Sequence, residues 1–246
     1  MKENAIKTSA LQKRISSQNN QTVDLNEWVF SRLEVKDNPK ILELCCGTGA
    51  QTKYLAKLMG GGSLDCVDIN QETVEENRNT AGKDNIIYHV SSIDKVDRYV
   101  SESVDLIFTA YGFYYSKDPV ALHSELYKKL NKDGKFVLVG PVLGNNAELY
   151  EILGQIGVKV PDDMFFASEE FMLVMEREFL NCYGNVNFNR VLNRVKYSSF
   201  GDLLNYWRNT TFYDASKEEE FLSAAKNFYD GNIIVTKSIS YLEGYA

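Results

Sequence analysis

The amino-acid sequence predicts an α/β fold with a mostly parallel sheet of seven strands and helices on both faces. Five short apolar runs alternate with segments of helical period or length, as in consecutive strand–helix–strand units. Runs such as "VDLIFTA" and "KFVLVG" are apolar nearly throughout, which is typical of strands in the buried middle of a parallel sheet. With 246 residues, 44% of them hydrophobic, the chain is also long enough to bury a large core.

The alternating region defines the first five strands, which are predicted at residues 40–44, 63–68, 85–90, 104–110 and 134–139. Ahead of them, apolar residues recur near helical spacing behind Asp24 and predict a first helix of about ten residues that ends before Pro39. After Pro141 the alternation stops, and residues 144–180 are predicted to be mainly helical. The segments "NVNFNRVLNRVKYS" and "NIIVTKSISYL" then have the pattern of two further strands, separated by two helical stretches.

These elements divide the chain into four predicted regions. Residues 1–22 are polar and form an N-terminal tail or lid, and residues 23–141 form the core. Residues 142–200 are a helical insertion after the fifth strand. Residues 201–246 supply the C-terminal helices and the last strand, which complete the core sheet.

Charge and composition restrict the possible partners. The 34 acidic residues outnumber the 27 basic ones, and the formal net charge of -7 favours a small, neutral or cationic substrate over nucleic acid. No apolar run reaches the roughly 18 residues that a membrane span requires, so a soluble, cytoplasmic protein is expected. The four cysteines have no metal-ligand spacing and are expected to be reduced, so no metal site is predicted. The sequence does not indicate an oligomeric state.

The stretch "ILELCCGTGAQTKYLAKL" at residues 41–58 joins an apolar strand to an amphipathic helix through a turn that contains two glycines. A strand that turns through Gly47 and Gly49 into a helix beginning near Thr48 exposes backbone N–H groups at the carboxyl edge of the sheet. A dinucleotide-binding turn has a third glycine where this chain has Thr52, which counts against NAD or FAD. A tight turn without a ligand is the alternative interpretation of the glycine pair.

A second feature is Asp68, which closes the predicted second strand about twenty residues after the glycine turn. A carboxylate at this place accepts hydrogen bonds from the ribose hydroxyls in nucleoside-binding α/β folds. An aspartate before a helix is also a common N-cap, and its spacing from the glycine turn favours the ribose-binding role here.

From about Trp28 to Gly140 the chain resembles the class I S-adenosylmethionine (SAM)-dependent methyltransferases, which have a Rossmann-like fold. The combination of "LELCCGTG" with "VDIN" carries this resemblance. In that family the glycine loop holds the methionine half of SAM, which has no pyrophosphate, so a third glycine is not required. The resemblance therefore implies SAM as the cofactor. The family's methionine contacts match Glu43 and the backbone of Cys45, Gly47 and Gly49. Its ribose contact matches Asp68, and its adenine contact matches Ile69.

Two further family positions follow the third and fourth strands. Relatives commonly have a Gly-Asp pair after strand three, where this chain has Ser91-Ser92, and the resemblance implies that Ser92 and Ile93 contact the adenine. The segment "DLIFTAYGFYYSKDP" matches the strand-four segment of the family, whose end borders both SAM and substrate. Thr109 and Ala110 are therefore expected to line the reaction chamber.

The resemblance also indicates where an acceptor would bind. Tyr111 belongs to the strand-four segment, and Tyr114 lies in the aromatic cluster that follows it; both are candidate acceptor contacts, although such residues often belong to the core. Arg14 lies where relatives fold a segment over SAM, and a solvated basic tail is the alternative. The insertion at residues 142–200 lies where related enzymes build an acceptor-binding cap.

The function implied by the resemblance is SAM-dependent methyl transfer to an oxygen, nitrogen or carbon of a small-molecule acceptor, such as a metabolite, natural product or sugar derivative. Alignment of the nucleophile and exclusion of water are then the main requirements, because the sulfonium already activates the methyl group. No catalytic base is assigned, since His89 falls within strand three and His123 lies on a packing helix.

Other functions remain as alternatives. The (D/N)PP(Y/F) loop of amino-methylating nucleic acid enzymes is missing after strand four, and the Pro-Cys nucleophile of cytosine-5 enzymes is missing too, so nucleic acid is not expected as a partner. The two alternative functions are a nicotinamide-dependent oxidoreductase and a non-catalytic SAM-fold partner protein.

Overall fold

A computed structural model describes residues 8–80 and 85–246 of the chain. The strands in this part of the chain are β1 Lys40–Leu44, β2 Ser63–Asp68, β3 Ile86–Val90, β4 Val104–Ala110, β5 Leu130–Pro141, β6 Asn185–Tyr197 and β7 Ile233–Tyr245. They form one seven-stranded sheet in the order β3-β2-β1-β4-β5-β7-β6. Parallel pairing joins β1 to β2 and β4, β2 to β3, and β4 to β5. The predicted α/β fold is thereby confirmed.

The α-helices in the described residues are α1 Thr8–Ser16, α2 Leu25–Phe30, α3 Thr52–Leu58, α4 Gln71–Thr80, α5 Pro119–Tyr127, α6 Ala147–Gln155, α7 Asp162–Phe165, α8 Phe171–Cys182, α9 Phe200–Arg208 and α10 Glu218–Phe228. A π-helical turn at Phe166–Glu170 joins α7 to α8. Asp118 shows how the sequence begins one of these helices: its carboxylate accepts a hydrogen bond from the Ala121 N–H, and Pro119 occupies the first turn. None of the helices in residues 8–80 and 85–246 combines the length and apolar character that a membrane span requires.

The predicted bounds of the first helix and of the fifth strand are wrong. The first helix, α2, has six residues rather than about ten. After Phe30 the chain continues as a turn, in which the Arg32 N–H donates to the Val29 carbonyl at 3.2 Å, and Leu33 beyond it is buried in the core. The fifth strand is longer than predicted, because β5 extends from residue 130 through the polar "LNKDG" segment to Pro141.

The chain divides into two compact units. Unit 1 comprises the described residues up to Asp24, Pro141–Glu170 and Val191–Ile239, and unit 2 comprises Leu25–Gly140, Phe171–Arg190 and Ser240–Ala246. The core of unit 2 contains fully buried side chains of the parallel strands, such as Ile41, Leu42, Leu106, Ile107 and Phe136. The core of unit 1 includes fully buried side chains of α6, β6, α9, α10 and β7, namely Leu149, Val195, Trp207, Phe221 and Val235.

Two of the predicted regions can be described element by element. The segment predicted as a helical insertion, residues 142–200, contains α6, α7 and α8 and the whole of the edge strand β6, where "NVNFNRVLNRVKYS" predicted a strand. The predicted polar tail at residues 1–22 contains α1, and its end pairs with β6: the Thr22 N–H donates to the Arg194 carbonyl at 3.0 Å, and Gln21 forms an antiparallel bridge with Val195. Residues 1–7 of that tail lie outside the described residues.

Candidate functional site

The turn after β1 has an unusual backbone. Cys45, Gly47 and Gly49 all adopt left-handed conformations, with φ of 57°, 48° and 72°. This region is open to glycine but costs a residue with a side chain about 1–2 kcal/mol, which Cys45 accepts. The Cys46 N–H donates to the Val67 carbonyl at 3.1 Å and so joins the turn to β2. The helix begins at Thr52 rather than near Thr48 as predicted, because this chain of turns takes up the intervening residues.

Asp68, the last residue of β2, fastens this turn. Its Oδ2 accepts the Gly47 N–H at 2.8 Å, and its Oδ1 accepts the Asn70 N–H at 2.9 Å. The Asn77 side-chain amide on α4 donates to the Gly47 carbonyl at 2.8 Å, so Gly47 is held from both sides. A carboxylate has about four acceptor positions, and these two hydrogen bonds leave capacity for hydroxyl donors of a ligand.

Glu43 lies behind the turn and is only 2% exposed. Its Oε2 accepts hydrogen bonds from the Thr52 hydroxyl at 2.6 Å and from the Cys66 thiol at 3.5 Å, which link β1, α3 and β2. Burial raises the pKa of the Glu43 carboxyl to about 7, with hydrogen bonds from Thr52 and Cys66 opposing the shift. The position of a third glycine in a dinucleotide turn is therefore occupied by Thr52, a buried side chain bound to a carboxyl group.

The residues after β3 lie next to Asp68. The Ser91 N–H donates to the Asp68 carbonyl at 2.9 Å. The Ser92 hydroxyl accepts the Asp94 N–H at 3.3 Å, and the side chain of Ile93 is only 6% exposed. Ile69, by contrast, leaves 49% of its surface exposed, which makes it available to pack against a flat apolar ligand group.

The end of β4 meets the glycine turn. Gly112 lies so close to Cys45 that a Cβ added at Gly112 would stand 2.2 Å from the Cys45 Cβ. Thr109 is fully buried, and its hydroxyl has no hydrogen-bond partner among the described residues. Ala110 is half-buried, and Tyr111 has a left-handed φ of 58°. The carboxyl ends of β1, β2, β3 and β4 therefore meet at one edge, as their parallel order requires.

The remaining predicted residues lie in more structural settings. The Tyr114 ring packs edge-on against Phe171, with ring centroids 5.7 Å apart. His89 Nε2 lies 2.6 Å from Asp65 Oδ1. His123 is fully buried, its Nε2 lies 3.1 Å from the Tyr183 hydroxyl, and burial lowers its pKa to about 4. These contacts engage Nε2 of each histidine, while the buried Nδ1 of His123 has no hydrogen-bond partner among the described residues.

Arg14 belongs to unit 1, whereas the other predicted site residues belong to unit 2. Its Nη1 donates to the Asn209 carbonyl at 2.8 Å. The Arg14 side chain is half-buried, which does not fit the alternative interpretation of a solvated basic tail.

Sequence reasoning missed Asn77 and Gly112. Asn77 is a buried polar residue within a polar helix, and only the turn it contacts shows its role. Gly112 lies two residues after the predicted fourth strand. A glycine at such a place indicates that another segment of the chain can approach the backbone closely.

These features define a class of protein. A parallel sheet with a left-handed glycine turn after β1 and a hydroxyl-accepting carboxylate after β2 is typical of α/β proteins that bind a nucleoside cofactor. Thr52 and the carboxyl group of Glu43 disfavour a pyrophosphate at the turn, since they leave no third glycine for close approach and add a group able to carry negative charge. A cofactor whose amino-acid end carries an ammonium group, as SAM does, fits these residues.

Comparisons with known proteins identify a methyltransferase domain within the chain. Residues 42–138 match the family model described as "Methyltransferase domain". The chain is 30% identical over 111 residues to demethylmenaquinone methyltransferase of Lactobacillus johnsonii, a match that covers 43% of this chain and 45% of that protein. It is 26% identical over 226 residues to malonyl-[acyl-carrier protein] O-methyltransferase 1 of Ilyobacter polytropus, covering 84% of this chain and 80% of that protein. The crystal structure of the YcgJ protein from Bacillus subtilis has the same fold, with a TM-score of 0.65 at 15% identity over 89% of this chain and 97% of that chain.

Residues 42–138 therefore contain a methyltransferase domain, in agreement with the predicted resemblance to SAM-dependent methyltransferases and with SAM as the predicted cofactor. The match to the demethylmenaquinone enzyme spans less than half the length of that protein.

Proposed function

We propose that this protein transfers the methyl group of SAM to an oxygen, nitrogen or carbon nucleophile of a small-molecule acceptor. The hydrogen bond from the Gly47 N–H to Asp68 Oδ2 carries this proposal, because it joins the left-handed turn and the ribose-binding carboxylate into one cradle. One relative supports the small-molecule acceptor, since its name gives demethylmenaquinone as the compound it methylates, and a second is named for a malonyl group carried on acyl-carrier protein.

The residues at the carboxyl edge are proposed to divide the cofactor between them. Asp68 accepts hydrogen bonds from the ribose hydroxyls, and Ile69 packs on the adenine with its exposed surface. Ser92 and Ile93 border the adenine from the end of β3. The backbone of Cys45, Gly47 and Gly49, with Glu43 behind it, holds the methionine moiety.

Bound SAM supplies a methyl group that its sulfonium already activates. The chain then has to orient the acceptor and exclude water, which is worth up to about 7–11 kcal/mol in favourable model reactions. Thr109 and Ala110 border the reacting groups in this proposal, and the Thr109 hydroxyl, which has no hydrogen-bond partner among the described residues, is proposed to form a hydrogen bond there. Tyr111 and Tyr114 are proposed as acceptor contacts. No residue is assigned as a base.

Ligand-dependent unfolding tests the cofactor assignment. SAM at one hundred times its dissociation constant is expected to add about 2.7 kcal/mol to the free energy of unfolding, while NAD at equal concentration leaves it unchanged. Stabilisation by NAD and none by SAM would overturn the proposal in favour of an oxidoreductase.

Transfer of a labelled methyl group from SAM to a panel of small-molecule acceptors tests the activity. Product formation with at least one acceptor supports an enzyme, whereas SAM binding without transfer to any of them favours a non-catalytic partner protein. The predicted cytoplasmic location and the expected absence of a nucleic acid partner remain predictions.

A further inference from the structure

Asp94 is a carboxylate beside the proposed cofactor site that the proposed function leaves unused. It lies two residues after Ser92, in the segment that follows β3, and its side chain is half-buried. Its Oδ1 accepts a hydrogen bond from the Ser116 hydroxyl at 2.6 Å, and its Oδ2 accepts the Lys117 N–H at 3.4 Å. Asp94 therefore fastens the segment after β3 to the turn after β4, and both segments belong to unit 2.

The partner of Asp94 in the turn after β4 is itself fixed in place. The Ser116 N–H donates to the Phe113 carbonyl at 3.1 Å, and the Ser116 hydroxyl oxygen accepts the Asp118 N–H at 3.2 Å. Asp118 in turn is the N-cap of α5. The single hydroxyl proton of Ser116 goes to Asp94, so the position of the Asp94 carboxylate is set by a turn that is anchored to a helix.

Ser92 and Asp94 contact each other twice. The Asp94 N–H donates to the Ser92 hydroxyl oxygen at 3.3 Å, and the Ser92 hydroxyl donates its proton to Asp94 Oδ2 at 3.5 Å. A serine hydroxyl has one proton to donate and two acceptor positions. Contacts within the described part of the chain therefore use the proton and one acceptor position, and they leave the second acceptor position of Ser92 for a ligand.

Apolar surface lies next to this acceptor position. The Ser91 N–H donates to the Asp68 carbonyl at 2.9 Å, and Val90 is paired with Asp68 between the parallel strands β3 and β2. Val90 and Ile69 leave 43% and 49% of their surfaces exposed. A flat base beside Asp68 can therefore cover apolar surface and present one polar edge to Ser92.

We propose that Asp94 is a positioning residue that holds the Ser92 hydroxyl as a hydrogen-bond acceptor, so that the site selects a cofactor base with an exocyclic amino group. The amino N–H of adenine donates to the Ser92 oxygen. A carbonyl oxygen in the same place would face the oxygen of Ser92 with no proton between them, and polar groups left unmatched in this way cost binding free energy.

This inference rests on the proposed function, because it names the part of SAM that Ser92 contacts. The chain lacks the Gly-Asp pair that is common among relatives after strand three, so the arrangement of Ser92 with Asp94 is particular to this chain. An aspartate can only accept a hydrogen bond when it is ionised, whereas a serine can also donate. Asp94 removes that ambiguity by taking the serine proton.

Calorimetric titration of the full chain with S-adenosylhomocysteine and S-inosylhomocysteine tests this selection. The two compounds differ at one edge of the base, where the inosyl compound has a carbonyl oxygen in place of the amino group and a hydrogen on the adjacent ring nitrogen. The wild type is expected to bind the adenosyl compound about 10-fold or more tightly. Asp94→Ala frees the Ser92 hydroxyl to direct its proton at either base, so this preference is expected to fall to about 3-fold or less.

Further variants distinguish positioning from a general loss of structure. Asp94→Asn keeps the size of the side chain in case the alanine variant does not fold, and Ser92→Ala removes the acceptor itself; each is expected to reduce the preference as Asp94→Ala does. Asp97→Ala is the matched control, because it removes a 90% exposed carboxylate from the same segment, and it is expected to keep the wild-type preference. A purely structural role of Asp94 would weaken the binding of both compounds by the same factor and leave their ratio unchanged.

Equal affinity of the wild type for the two compounds would overturn the inference. An unchanged ratio of affinities in the Asp94 variants, or in Ser92→Ala, would overturn it as well. In each of these cases SAM still stabilises the wild type, so the methyltransferase proposal stands. Binding of neither compound, together with no stabilisation by SAM, would overturn the proposed function and this inference with it.

Discussion

The close approach of Gly112 to Cys45 gives a quantitative prediction for Gly112→Ala. The backbone of Gly112 has a negative φ of -141°, so alanine does not meet the left-handed penalty at this position. The added methyl carbon would lie 2.2 Å from the Cys45 Cβ and 2.5 Å from its Sγ, while carbon atoms in good contact are about 3.5–4.0 Å apart. Relief requires the turns after β1 and β4 to separate. Overpacking of this kind costs about 1–3 kcal/mol, so the melting temperature is expected to fall by about 4–8 °C for a 2 kcal/mol loss.

A second substitution makes this prediction specific. Cys45→Gly removes the side chain that the new methyl group would strike and also relieves the left-handed φ of 57°, which costs a non-glycine residue about 1–2 kcal/mol. The double variant is therefore expected to recover most of the stability lost in Gly112→Ala, with a coupling energy of about 1–3 kcal/mol. Denaturant unfolding measures the stabilities, and calorimetry with SAM is expected to show weaker binding in the single alanine variant alone. A Gly112→Ala protein that unfolds and binds SAM like the wild type would refute the geometry, as would a double variant no more stable than the single one.

Three further predictions concern groups around the site. The pKa of Glu43 is raised to about 7, so the free energy of unfolding is expected to fall as pH rises from about 4.5 to 7. Glu43→Gln should remove this pH dependence and have a free energy of unfolding about 1–3 kcal/mol above that of the wild type at pH 8. Equal pH dependence of the two proteins in urea unfolding would contradict this. Gly49→Ala places a methyl group 2.9 Å from Asn77 Oδ1 on a backbone with a φ of 72°, so the free energy of unfolding is expected to fall by about 1–3 kcal/mol. An unchanged midpoint of denaturant unfolding would contradict this. The pKa of His123 is lowered to about 4, so the free energy of unfolding is expected to fall as pH falls from about 6.5 to 4. His123→Phe should reduce this loss of stability at low pH and keep methyl transfer, and an inactive but folded variant would show that the histidine is catalytic.

The parallel half of the fold was predictable because its signals are local. Apolar runs mark β1, β2 and β4 with the bounds the structure gives them, and the glycine turn with Asp68 is a motif of fixed order and spacing. The start of α3 was not predictable, because the left-handed turns that delay it to Thr52 depend on hydrogen bonds to β2. The strand β6 was predicted in spite of its partial alternation, which reflects the mixture of exposed and buried positions in an edge strand.

The contacts around the site depend on tertiary structure and were missed for that reason. Asn77 reads as one polar residue of a polar helix, and its bond to the Gly47 carbonyl spans 30 residues of sequence.

The central claim is that Asp68 and the glycine turn together hold SAM, and calorimetric titration of SAM into the wild type and Asp68→Ala tests it most directly. The variant loses the ribose acceptor and the hydrogen bond from the Gly47 N–H, so its affinity is expected to fall by about 10-fold or more with the circular dichroism spectrum unchanged. Asp65→Ala, which removes a carboxylate from the same strand, is the matched control and is expected to keep wild-type affinity. Equal affinity for SAM in Asp68→Ala and the wild type would contradict the account.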